Sequence, residues 1–144
     1  MRLGLYSKVA RRNIVDARTI IAQRNYRASP EDIRRCRGEL ASFSDDTSLK
    51  RVTEVSDFFN MSSCRDLLFH VQEHQFTLPA ISTFLRENRL QFLGFEIDGP
   101  VLQTYRRRFP DDQTMTDLGL WHIFEAENPS IFAGMYQFWI QKPN

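Results

Sequence analysis

The sequence predicts an α/β fold, a small sheet of three strands with helices filling the long intervals between them. Three apolar segments carry the strands: Met1-Arg2-Leu3-Gly4-Leu5-Tyr6, Leu90-Gln91-Phe92-Leu93-Gly94-Phe95-Glu96-Ile97 and Gly134-Met135-Tyr136-Gln137-Phe138-Trp139-Ile140. The intervals show apolar residues at helical spacing. The first strand opens at the initiating methionine with no cap, loop or polar lead-in. An apolar strand must bury a face and pair its edge, so the chain is expected to be the last part of an α/β domain whose earlier strands lie elsewhere.

After the first strand, Lys8 to about Arg24 reads as a helix with Ala10, Ile14, Ala17 and Ile21 on one face. Ser29-Pro30-Glu31-Asp32 is a helix start, with Ser as N-cap, Pro at the first position and acids in the first turn. That second helix turns Ile33, Cys36 and Leu40 inward and ends near Ser44-Asp45-Asp46. A third, from about Ser48 to Asn60, is expected to bury Leu49, Val52, Val55 and Phe59. Ser62 or Ser63 is expected to cap a fourth, carrying Leu67, Leu68 and Val71. Thr77 caps a fifth with Ile81, Phe84 and Leu85, which stops at Asn88. The second strand alternates poorly, since Phe92, Leu93, Phe95 and Ile97 are all apolar, as in a strand covered on both faces. Gly99-Pro100 opens a helix to Arg108. Asp117 to Glu127 is another, whose Leu118, Trp121 and Phe124 read as core; His122 lies off that stripe and reads as solvated.

The whole chain, residues 1–144, is thus expected to be a single partial α/β domain. Residues 7–89 form a helical insert between the first two strands, and 90–144 a strand–helices–strand part. A parallel crossover needs only about a dozen residues, and inserted segments much longer than that are usually functional.

Apolar content of 42% with 12 Phe argues for a packed core. No apolar run approaches the roughly 20 residues that cross a bilayer, so no membrane association is expected. Cys36 and Cys64 make no disulfide framework and read as buried thiols of a cytoplasmic protein. Residues 1–28 hold seven Lys or Arg against Asp16 alone. A targeting segment is also Arg-rich, but here the helical pattern continues well past such a segment. Arg106-Arg107-Arg108 is answered by Asp111 and Asp112. Neither basic run is interleaved with aromatics, so no nucleic-acid partner is expected.

Gly4-Leu5-Tyr6-Ser7 resembles the fifth strand of class I S-adenosylmethionine-dependent methyltransferases. Leu93-Gly94-Phe95-Glu96 resembles their sixth, and Tyr136-Gln137-Phe138-Trp139, followed by Gln141-Lys142-Pro143, their antiparallel seventh. Ser63-Cys64-Arg65-Asp66-Leu67-Leu68-Phe69-His70-Val71-Gln72-Glu73-His74 is similar to the helical insert of large bacterial methyltransferases that often also carry tetratricopeptide repeats. The resemblance covers nearly the whole chain. It implies a partial Rossmann-like sheet in the order first–third–second, the third strand antiparallel and central, with S-adenosylmethionine as cofactor of the complete protein. That family binds its cofactor through a glycine-rich loop and an acidic residue on the ribose. None of the six glycines here stands in a G-x-G arrangement. The resemblance therefore implies that this chain is the substrate side and that the cofactor-binding half is missing. The fragment alone is then expected to bind no cofactor and to be inactive.

His70-Val71-Gln72-Glu73-His74 also matches H-x-x-E-H, the inverted zinc-protease pattern. On a helix, His70 and His74 would share a face beside Glu73, but a metal needs a third ligand, for which only Glu125 or Glu127 offers itself; the site is expected to be metal-free. On the substrate side of a methyltransferase, a neutral histidine takes a proton from the attacking nucleophile while Glu73 holds its tautomer. Arg65 and Asp66 stand about one turn earlier, to bind a charged substrate or to pair with each other. Tyr6 and Ser7 end a strand where open α/β sheets place ligands; Tyr6 reads equally as a core aromatic. The alternative reading is a non-catalytic interaction or regulatory module. Either way the partner is the missing half or another protein, or the chain self-associates through the Met1–Tyr6 edge.

Overall fold

The computed structural model describes residues 1–45, 47–70 and 72–143. Asp46 and Val71, expected on the second and fourth helices, lie outside the described residues. In chain order the elements are β1 (Arg2–Ser7), α1 (Arg12–Gln23), α2 (Pro30–Ser42), 3₁₀ turns at Lys50–Glu54 and Ser56–Phe58, and α3 (Met61–Cys64), which runs into a π turn at Arg65–Phe69. Then follow β2 (Gln75–Phe76), α4 (Leu78–Glu87), β3 (Gln91–Phe95), α5 (Gly99–Arg108), α6 (Leu118–Glu127) and β4 (Tyr136–Gln141). None of these helices is long and apolar enough to cross a membrane.

The chain divides into two compact units, Arg11–Glu73 and the remainder, Met1–Ala10 with the chain from His74 onward. The helical unit is therefore shorter than the expected insert of 7–89. The difference is α4, whose Leu78, Ile81 and Leu85 pack into the core of the sheet-bearing unit.

In that unit the fold is mixed α/β, with a four-stranded sheet among the described residues in the order β2–β1–β4–β3. β4 runs antiparallel to both β1 and β3, so the three expected strands stand in the order expected of them. β2 is an addition, pairing parallel with β1 at Tyr6 and Ser7 alone. The core lies on one face, where Leu3 and Leu5 of β1 and Tyr136, Phe138 and Ile140 of β4 alternate inward. Helices supply the other side: Trp121 of α6 stacks on Tyr105 of α5 with ring centroids 3.9 Å apart, and the Trp121 indole N–H donates to Met115 O at 2.9 Å.

β3 is not covered on both faces, since Leu93 is 43% exposed. Its unbroken apolar run has another cause. A bulge between Phe92 and Gly94 shifts the register, so that Phe92 faces Ile140 while Phe95 faces Phe138. Both phenylalanines then point to the core although they are an odd number of residues apart. Gly94 has φ +140°, a conformation that side-chain-bearing residues rarely adopt.

In the helical unit, Ile14, Ala17, Ile21, Ile33, Cys36 and Leu40 are buried as their spacing requires. The Ser29 hydroxyl caps α2 by accepting from Asp32 N–H at 3.3 Å. Two expectations fail there. The third helix is only a pair of 3₁₀ turns, because Val55 is extended (φ −78°, ψ 130°), and Phe58 rather than Phe59 is buried. α3 is capped by Asn60, whose side-chain Oδ1 accepts from Ser62 and Ser63 N–H, and not by either serine.

Candidate functional site

β1 ends on Ser7, which follows Leu3 and Leu5 on the inward side of the strand and is fully buried. Its hydroxyl donates to Glu125 Oε1 at 2.5 Å and accepts from Ala10 N–H at 3.0 Å. Glu125 comes from α6, four residues after Trp121 and seven after Leu118, hence on the same buried stripe. The Tyr136 hydroxyl, from β4, donates to both Glu125 oxygens at 2.8 Å. Three elements are thereby tied together through one carboxyl group.

Burial raises the pKa of Glu125 against the opposing pull of the Ser7 and Tyr136 hydrogen bonds and of nearby His122. Burial likewise raises that of Tyr136. A carboxyl group in such surroundings favours its neutral form. His122 is less solvated than its position off the stripe implied: its Nδ1 is buried, with no hydrogen-bond partner among the described residues. Ser7 thus serves the interior of the unit, and Tyr6 points the opposite way, half-buried, opposite Gln75 of β2.

The described residues of the H-x-x-E-H segment do not lie on a helix. The helical chain ends with the π turn at Phe69; His70 has extended backbone (φ −84°, ψ 118°) and Gln72–His74 are irregular. The i to i+4 argument for a shared face therefore does not hold. His70 and His74 are exposed, whereas Glu73 is held by two guanidiniums, Arg18 at 3.2 Å and Arg11 at 3.4 Å. Arg18 also donates to Leu67 O at 2.8 Å, which anchors the π turn to α1. Glu125 is bound to Ser7 and Tyr136, and Glu127 to Arg108 at 2.9 Å. Among the described residues, no three His, Cys, Asp or Glu side chains group as a metal site. Arg65 and Asp66 are exposed on the π turn and, among the described residues, form no ion pair with each other.

The turn after β1, Lys8–Arg11, contains no glycine, and its Ala10 N–H is already engaged by Ser7. Beyond β3, Pro100 occupies the first turn of α5 and offers no N–H. Sequence reasoning missed the Glu125 cluster and the Arg11–Glu73–Arg18 cluster. Glu125 was findable as an acid on an apolar helical stripe; Glu73, on irregular backbone, carried no such signal. Neither the protein-family models nor the curated proteins compared with this chain give a match.

Proposed function

We propose that the chain is the C-terminal, substrate-side part of a class I S-adenosylmethionine-dependent methyltransferase, inactive alone, with the cofactor bound by residues outside these 144. The observation that supports it most is the placement of β4, antiparallel, between β1 and β3. That arrangement makes β1 and β3 parallel strands separated by an antiparallel one, which is what the strand motifs implied. In this reading the exposed imidazoles of His70 and His74 are available to accept a proton from a methyl acceptor. Glu73 positions the segment through Arg11 and Arg18.

The test is the reading frame upstream of Met1. A glycine-rich strand–turn–helix in frame, and transfer of labelled methyl groups by the joined protein, are expected. An independent start signal at Met1, with no such segment before it, would overturn the reading. It would favour the non-catalytic interaction module, for which the specific observation is β1, whose outer edge β2 covers only at Tyr6 and Ser7.

A further inference from the structure

The segment from Leu67 to Glu73 is tied at both ends to one nitrogen atom. Leu67 lies in the π turn Arg65–Phe69, and the carbonyls at a helix end have no partner within the helix itself. Arg18 Nη2 donates to Leu67 O at 2.8 Å and to Glu73 Oε2 at 3.2 Å. A guanidinium Nη carries two protons, so both are in use. Between these anchors the chain leaves the turn at His70, whose backbone is extended and whose imidazole is exposed.

The anchor is itself held. Arg18 stands on α1 directly after Ala17 and one turn before Ile21, and both of these are buried in the core of the helical unit. Its stem leaves from a packed helix, and its head group and the Glu73 carboxylate are both largely buried. A charge-assisted hydrogen bond in such surroundings is stronger than one in water. Arg11 differs in what it ties. It stands before α1 and pairs with Glu73 at 3.4 Å, whereas the bond to the Leu67 carbonyl is made by Arg18.

We propose that Arg18 is the positioning residue for His70: by capping the π turn and holding Glu73 from the same nitrogen, it fixes the backbone that carries the imidazole. The role of His70 as proton acceptor rests on the methyltransferase reading above; the clamp rests on distances within the helical unit alone. A group that takes a proton must stand within hydrogen-bond reach of it, and a displacement of about 1 Å is enough to cost roughly a hundredfold in rate. An exposed histidine on irregular backbone meets that demand only if the chain on both sides of it is held, which is what Arg18 supplies.

Backbone nitrogen-15 relaxation of the 144-residue chain tests the clamp. The His70 amide is expected to show a rigid order parameter of about 0.85 in the wild type and in Arg11→Met, and a value under about 0.6 in Arg18→Met. Ile33 and Leu40 on α2 should stay unchanged in all three, which separates loosening of the segment from loss of the fold. A mobile His70 in the wild type, an unchanged His70 in Arg18→Met, or equal loosening in Arg11→Met overturns the proposal. If Arg18→Met does not fold, Glu73→Gln decides, because it weakens one end of the clamp only: His70 should gain mobility while Leu67 keeps its own, and no gain overturns the proposal. Because these readouts need no cofactor, they fail or succeed separately from the upstream-frame test of the methyltransferase reading.

Discussion

The hydroxyl of Tyr136 donates to both oxygens of Glu125 at 2.8 Å, binding the start of β4 to the last turn of α6 inside the core. A carboxyl group so placed makes stability depend on pH. The folded-state pKa is raised above the ordinary 4.5, chiefly by burial. As pH rises through that ordinary value, the unfolded chain releases the proton while the folded chain keeps it. The unfolded state then binds fewer protons, so stability falls with pH until the folded-state pKa is passed. Urea unfolding from pH 4 upward should show this decline in the wild type and a flatter profile in Glu125→Gln. Parallel profiles would mean that the carboxyl group is ionised in the fold.

Removing the carboxyl group altogether should be worse than neutralising it. Glu125→Ala leaves the hydroxyls of Ser7 and Tyr136 without their acceptor and opens a cavity beside Trp121. The expected loss is about 3 kcal/mol in urea unfolding, from unsatisfied donors and lost packing together. A loss under about 1 kcal/mol would show that the cluster can repack around the gap.

The bulge in β3 assigns opposite fates to adjacent residues. Phe92 is buried among Phe95 and Phe138, whereas Leu93 is nearly half exposed. Phe92→Ala should cost about 3 to 5 kcal/mol and Leu93→Ser less than about 1 kcal/mol. Gly94→Ala should cost more than about 1 kcal/mol, because φ +140° is strained for any residue with a Cβ. Thermal unfolding of the three variants checks the set. Equal losses at Phe92 and Leu93 would restore a strand buried on both faces.

Much of this fold was legible because periodicity reports local geometry. Ile33, Cys36 and Leu40 recur at helical spacing, and Ser29-Pro30 fixes where that helix begins. The strand order was not legible from the residues themselves, since no spacing in the sequence says that Phe138 lies between Leu3 and Phe95. Phe92 and Leu93 misled because a bulge breaks the two-residue period, and the same apolar run fits a doubly covered strand. Phe84, on the expected stripe of α4, is 52% exposed; Leu78, one turn from Ile81, takes its place. At the candidate site, H-x-x-E-H implied a helix that Phe69 in fact ends. The partners of Glu73 lie 55 and 62 residues away on and before α1, beyond any local pattern.

That cluster separates structural from chemical roles within the motif. Glu73→Ala leaves two largely buried guanidiniums without the carboxylate between them, and breaking such a buried pairing typically costs about 3 to 5 kcal/mol. His70→Ala and His74→Ala, at exposed positions, should each change stability by less than about 0.5 kcal/mol. Thermal melting ranks the three. A large loss at either histidine would show that its imidazole has a partner that matters to the fold.

The last prediction concerns the cofactor. A class I methyltransferase holds S-adenosylmethionine with backbone N–H groups exposed by glycines at a strand end and a carboxylate on the ribose. In this chain β1 ends on Ser7 with its hydroxyl turned into the core, the following turn has no glycine, and Ala10 N–H is already bonded. Isothermal titration of the isolated chain with S-adenosylmethionine should therefore give no saturable heat. If the upstream frame supplies a glycine-rich half, the joined protein should bind, and Tyr6→Ala should then weaken transfer to the acceptor more than it weakens cofactor binding. Saturable micromolar binding by the isolated chain would mean that the cofactor is held by a different set of residues, and the assignment of this segment to the substrate side would fall.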